Sequence, residues 1–136
     1  MATSAGYSGT PLPKKLGFKP GFLVRVVDGP ETYEDLLADA EAVEFTIEGE
    51  GPFDAVHLFL HGLDAIADKA ALAIGSLRDG GMLWISWAKK SSKLHAGVRE
   101  DDLRTHVLPL GWVDVKVCAV DADWSGLKFL KRKATG

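Results

Sequence analysis

The stretch Phe53-Asp-Ala-Val-His-Leu-Phe-Leu60 decides how this chain folds. It is a continuous apolar run interrupted only by Asp54 and His57, the pattern of a strand buried on both faces of a sheet. Gly49-Glu-Gly-Pro52 breaks the chain before it. Further upstream, Phe22-Leu-Val-Arg-Val-Val27 is β-branched and apolar and ends in the turn signal Asp28-Gly29-Pro30. Thr32 to Ala40 reads as a short helix with acids in its first turns, where they suit the helix dipole, and Val43 to Ile47 alternates as a strand. Downstream, Leu63, Ile66, Ala70, Ile74 and Leu77 recur at helical spacing and predict one buried helix face, ended by Asp79-Gly-Gly81. Met82 to Trp87 is another apolar strand, followed by the polar loop Ala88 to Lys93. A helix is expected from Arg99 to Leu108, and Val113 to Val120 with Leu127 to Leu130 form a closing hairpin around Asp121 to Gly126. Strand and helix alternating through short loops predict a mostly parallel sheet with helices on both faces, edged by a C-terminal antiparallel hairpin.

The 136 residues suit one domain. Residues 1–12, rich in Ser, Gly, Thr and Pro, read as a flexible arm, and 13–136 as a single α/β domain. A lone cysteine, Cys118, excludes an intrachain disulfide framework and a thiolate metal cluster, and its apolar setting suggests a buried small side chain. No secretory leader and no apolar run near the roughly 20 residues of a membrane span is present, so a cytoplasmic, membrane-free protein is expected. The net charge of −3 conceals a segregation. Up to Val27 the charges are Lys14, Lys15, Lys19 and Arg25, whereas Asp28 to Asp54 holds ten acids and no base. The negative balance argues against nucleic acid as a partner.

Gly-Pro-Phe-Asp-Ala-Val-His-Leu-Phe-Leu (51–60) and Leu-Arg-Asp-Gly-Gly-Met-Leu-Trp-Ile (77–85) resemble, in this order, two stretches of the class I methyltransferases. With the final hairpin the resemblance spans roughly residues 21–132 and implies a Rossmann-like fold and S-adenosylmethionine as a cofactor. Tyr7 to Leu12, Lys14 to Gly17, Gly80 to Trp84 and Val113 to Leu127 are also similar to a family of short bacterial proteins known as a domain of unknown function, which implies no activity. Two features depart from the methyltransferase pattern. The loop after the first strand, Asp28-Gly29-Pro30-Glu31-Thr32, offers one glycine where close approach to a cofactor uses several, and proline removes a donor. Only seven residues separate Phe45 from Phe53-Asp54, too few for another helix and strand.

In open α/β sheets ligands gather beyond the carboxyl ends of the parallel strands. That edge should receive Asp28 to Thr32, His61-Gly62, Lys89 to Lys93 and Asp121 to Gly126. The candidate ligand residues are therefore Asp28, Gly29, His61, Lys89, Lys90, Ser91, Trp124 and Ser125, with Glu48 past the second strand as a ribose partner by analogy with dinucleotide folds. Two ammonium groups and a hydroxyl suit a phosphate or carboxylate, the indole offers a stacking face, and His61 has the chemistry of an acid or base. The alternatives are solubilising lysines, a Trp124 packed under its own hairpin, a His61 that caps a helix and, preferred for Glu48, a solvated turn residue. His57 and His61, four apart on a strand, do not form a helical metal pair, and no metal site stands out. The reading is a non-catalytic, methyltransferase-like module for an anionic small molecule or a protein partner. A methyltransferase with an atypical loop and a scaffold using the acidic stretch are the alternatives, and the strand near Val43 to Ile47 is a sheet edge through which copies could pair.

Overall fold

The computed structural model describes residues 11–133, so most of the expected arm, residues 1–10, lies outside the described residues. Helix α1 (Leu12–Leu16) opens them and stops at Gly17, whose left-handed backbone (φ 79°) suits glycine. Six strands follow: β1 (Leu23–Val27), β2 (Glu44–Thr46), β3 (Phe53–Leu60), β4 (Leu77–Ala88), β5 (Trp112–Ala119) and β6 (Trp124–Lys131). Between them lie α2 (Tyr33–Leu36), α3 (Ile66–Gly75) and α4 (Glu100–Val107). The strand order is β2-β1-β3-β4-β6-β5, with β1 to β4 mutually parallel and β6 antiparallel to both β4 and β5. The hairpin thus returns its second strand into the sheet and leaves β5 outermost. At the other edge stands β2. No helix among the described residues is long and apolar enough to cross a membrane.

Alternation along the strands divides the interior in two. On one face Val56, Leu58, Leu60, Leu83, Ile85 and Leu127 pack beneath α3 and α4. On the other, Val24, Val26, Ala55, Phe59, Trp84 and Trp124 pack beneath α1 and α2. Trp84 ties the second face together, because its indole Nε1–H donates to the carbonyl of Leu16 at 2.9 Å, with both residues fully buried. At the amino-terminal ends of the strands, Asp54 accepts from the Leu23 amide at 2.7 Å and pairs with the Arg78 guanidinium. This aspartate therefore fastens β3 to the starts of β1 and β4.

Four expectations need correction. The expected helix face included Leu63 and Leu77, but Leu63 is exposed, Leu77 begins β4, and the buried positions of α3 are Ile66, Ala70 and Ala73. The Gly80-Gly81 pair does not end the helix. Gly80 has φ 79°, a Cβ on Gly81 would stand 3.0 Å from the Arg78 carbonyl, and the β3–β4 register shifts between Phe53 and Ala55. The pair thus bends the start of a strand. The helix expected over Thr32 to Ala40 is only α2, with no side-chain cap bond at its start. Cys118 is half-buried rather than sealed, and burial pushes its thiol pKa up, so it stays protonated.

Replacing Trp84 by Phe keeps an aromatic ring at the site but gives up part of the indole's volume and leaves the Leu16 carbonyl without its indole donor. The expected loss is about 1–3 kcal/mol of unfolding free energy, read from urea denaturation.

Candidate functional site

The carboxyl ends of β1 to β4 bring the anticipated loops to one edge of the sheet, where most of their polar groups bond to one another. His61 Nε2–H donates to the carbonyl of Asp28 at 2.7 Å, fastening the loop after β1 to the end of β3. That bond fixes the tautomer of His61, whose ring meets Trp124 edge-on at 5.3 Å. Helix α3 begins instead from Ala65, so His61 is not its cap. Lys89 extends its Nζ to the Asp121 carbonyl at 2.7 Å, while its amide donates to the Asp123 carbonyl. Ser92 Oγ donates to the Asp123 carboxylate at 2.9 Å. The loop after β4 and the β5–β6 turn are thereby clasped together.

These contacts revise the expected anion site. Trp124 is buried and packs edge-on against Phe59 at 5.1 Å, so its indole presents no open stacking face. Lys89 is committed to a carbonyl, Lys90 and Ser91 are exposed, and Ser125 lies within β6, paired with Trp87 on one side and Ala119 on the other. Lys89 serves the turn while Lys90 stands exposed beside it.

The open space lies elsewhere, at the carboxyl ends of β1 and β2. A cleft of about 1090 Å³ runs there, lined by residues that include Asp28, Gly29, Tyr33, Phe45 and Glu48. Three of the anticipated positions thus share it: Asp28, Gly29 and Glu48. Four carboxylates line it (Asp28, Glu31, Glu34 and Glu48), and the one basic side chain among its lining residues is Arg25. Gly29 is required by packing, since a Cβ there would stand 2.7 Å from Val26 Cγ1. Asp28 before it adopts a left-handed backbone, φ 56°.

One wall of the cleft is anchored in the core. Tyr33, the first residue of α2, places its hydroxyl 2.9 Å from His57 Nδ1, and Ser86 Oγ lies 2.7 Å from His57 Nε2. A neutral ring donates through one nitrogen and accepts through the other, so both partners are satisfied. His57 is fully buried, stacks on Phe59 at a centroid distance of 4.3 Å, and burial pushes its pKa down to about 3. Burial likewise pushes the Tyr33 hydroxyl far up. Tyr33, His57 and Arg25 were not among the sequence candidates. The signal for His57 was present: a histidine inside an apolar strand needs two buried partners, and Ser86 interrupts the next strand. No group of His, Cys, Asp and Glu among the described residues could hold a metal ion.

The sequence matches no family model and no curated protein. Solved structures are similar in fold. A candidate type 11 methyltransferase from Sulfolobus solfataricus aligns over 92% of this chain and 92% of its own, with a TM-score of 0.59 and 15% identity. The 1,6-didemethyltoxoflavin-N1-methyltransferase of Burkholderia thailandensis, solved with 1,6-didemethyltoxoflavin and S-adenosylhomocysteine, aligns over 90% of this chain and 75% of its own (TM-score 0.54, 18% identity). The chain has a methyltransferase-like Rossmann fold. The cyclase SpnF is also similar, over 90% of this chain and 79% of its own with a TM-score of 0.55 and 10% identity, so the fold alone does not name a reaction.

The buried histidine makes stability depend on pH. Its folded pKa lies below the ordinary 6.5, so the unfolded chain takes up the proton first and stability falls as pH drops from about 6.5 toward 3. Unfolding free energy should be about 2 kcal/mol lower at pH 4.5 than at pH 7 in urea titrations, and His57→Met should remove most of that difference.

Proposed function

We propose that this chain is a methyltransferase-like module that binds a small nucleoside-type ligand in the cleft between β1 and β2 without transferring methyl groups itself. The observation that carries this reading is the commitment of the loop after β1. Its single glycine packs against Val26, its Pro30 has no N–H, and the Asp28 carbonyl is held by His61. Such a loop lacks the clustered glycines that let a cofactor approach the backbone closely, and Pro30 supplies it no donor. The cleft beside it stays wide. Glu48 lines it just beyond β2, positioned to accept a ribose hydroxyl, and Tyr33 and Phe45 offer apolar surface to a base. The similar Burkholderia enzyme is accompanied by S-adenosylhomocysteine, which makes adenosyl compounds the first class to try.

A second reading has one observation in its favour. Asp28 and Glu48 line the same cleft, as two acidic partners of an adenosyl cofactor would, so an S-adenosylmethionine-dependent enzyme with an atypical loop is the alternative.

Thermal unfolding with S-adenosylhomocysteine, S-adenosylmethionine and common nucleotides tests both. A ligand at about 100 times its Kd adds about 2.7 kcal/mol, which for a chain of this size raises the midpoint by about 10 °C. The expected result is a shift with adenosyl ligands that Glu48→Gln reduces, and no methyl transfer from S-adenosylmethionine. No shift with any ligand overturns the binding reading, and methyl transfer abolished by Glu48→Gln establishes the enzyme instead.

A further inference from the structure

Arg25 sits in the middle of β1, in register with Thr46 on β2 and Val56 on β3. Its Nε is buried and has no hydrogen-bond partner, and no carboxylate among the described residues forms an ion pair with its guanidinium. A charged donor buried without an acceptor destabilises a fold, and native proteins leave such a group where something else completes it. Here the same side chain lines the open cleft, as its one cation among four acids. Asp28 and Glu48 line that cleft too, yet neither pairs with it.

We propose that Arg25 is the specificity-determining residue of the β1–β2 cleft, taking an oxyanion of the ligand, a carboxylate or a phosphate, on its guanidinium fork. This rests on the reading of the cleft as a ligand site and adds the chemistry of the ligand. The guanidinium is planar and always charged, and its parallel N–H groups match two oxygens of one acidic group. The surrounding carboxylates repel a ligand that is anionic throughout. They accept from hydroxyls or an amine. The ligand that fits both is therefore a small molecule with one acidic group and several donors, and its acidic end lies toward β1 while its donors meet Asp28 and Glu48.

The experiment compares wild type with Arg25→Met, which keeps the length of the side chain and removes the charge and the fork. Three probes are titrated calorimetrically: adenosine, which lacks an oxyanion, adenosine 2′-monophosphate, and S-adenosylhomocysteine, which carries a carboxylate. In wild type at least one charged probe should bind about tenfold or more tighter than adenosine, and its identity tells phosphate from carboxylate. Arg25→Met should erase that advantage while adenosine binds unchanged. Without ligand, Arg25→Met should raise the thermal midpoint by about 4 °C, because an unpaired buried donor has been removed. An advantage that is absent in wild type, or that survives in Arg25→Met, overturns the assignment. So does a lower midpoint in the unliganded variant, which marks Arg25 as a structural residue whether or not any probe binds. Failure of adenosine together with both charged probes overturns the parent reading of the cleft and the Arg25 assignment with it, whereas adenosine binding without an oxyanion advantage overturns the assignment alone.

Discussion

A buried imidazole holds the cleft-bearing side of the molecule to its core. His57 lies at the centre of β3, out of reach of water, and both ring nitrogens find partners only because Tyr33 and Ser86 reach them from α2 and β4. Helix α2 has four residues and no capping side chain, too little to hold itself in place. It is positioned from below, by the bond to His57 and by the edge-on contacts of Tyr33 with Phe45 and Phe59. The wall of the cleft thus inherits its position from the sheet. A substitution that breaks the chain at Ser86, far from the opening, acts on the opening through Tyr33.

The second constraint is a shortage of chain. Between β2 and β3 the polypeptide turns back through residues 47–52 with no helix. Helix α3 packs on β3 and β4 and α4 on β5, covering one face of the sheet, and α1 and α2 take the other. The outer pair β1–β2 is the least covered part of the sheet, and there the cleft opens. Arg25 lies on that pair, facing the same side as Thr46. Its missing partner and the missing layer have the same origin.

The central strand was legible because its composition is extreme. Phe53 to Leu60 can satisfy so many apolar side chains only with both faces covered, and its neighbours follow from that requirement. The Gly80-Gly81 pair was misread because glycine punctuates helices and strand bends alike, and only the carbonyls of Arg78 and Asp54 crowding Gly81 distinguish the two. Chain order placed Asp28 and Gly29 in the loop after the first strand and Glu48 past the second, and all three line the cleft. It could not say that Lys89 is committed to the Asp121 carbonyl and that the Trp124 indole packs against Phe59, since that depends on which groups face inward. Arg25 gave no signal. One arginine in a strand reads as a surface charge until the third dimension shows which face lacks a helix.

The segregation of charge acquires a meaning from the strand order. Of the ten acids from Asp28 to Asp54, nine follow β1 and lie in or beside β2 toward one edge of the sheet, while Asp54, on β3, is paired with Arg78. Lys116 and Lys128 face each other across β5 and β6 at the opposite edge. The cleft therefore opens in a negative field, within which a lone guanidinium is the one attractive point for an acidic group. A ligand lacking donors for the carboxylates would be turned away before it reached Arg25, and a purely cationic one would leave Arg25 unanswered. Selection in such a cleft depends on the separation between the ligand's acidic end and its donors, a distance set by β1 and β2 lying side by side.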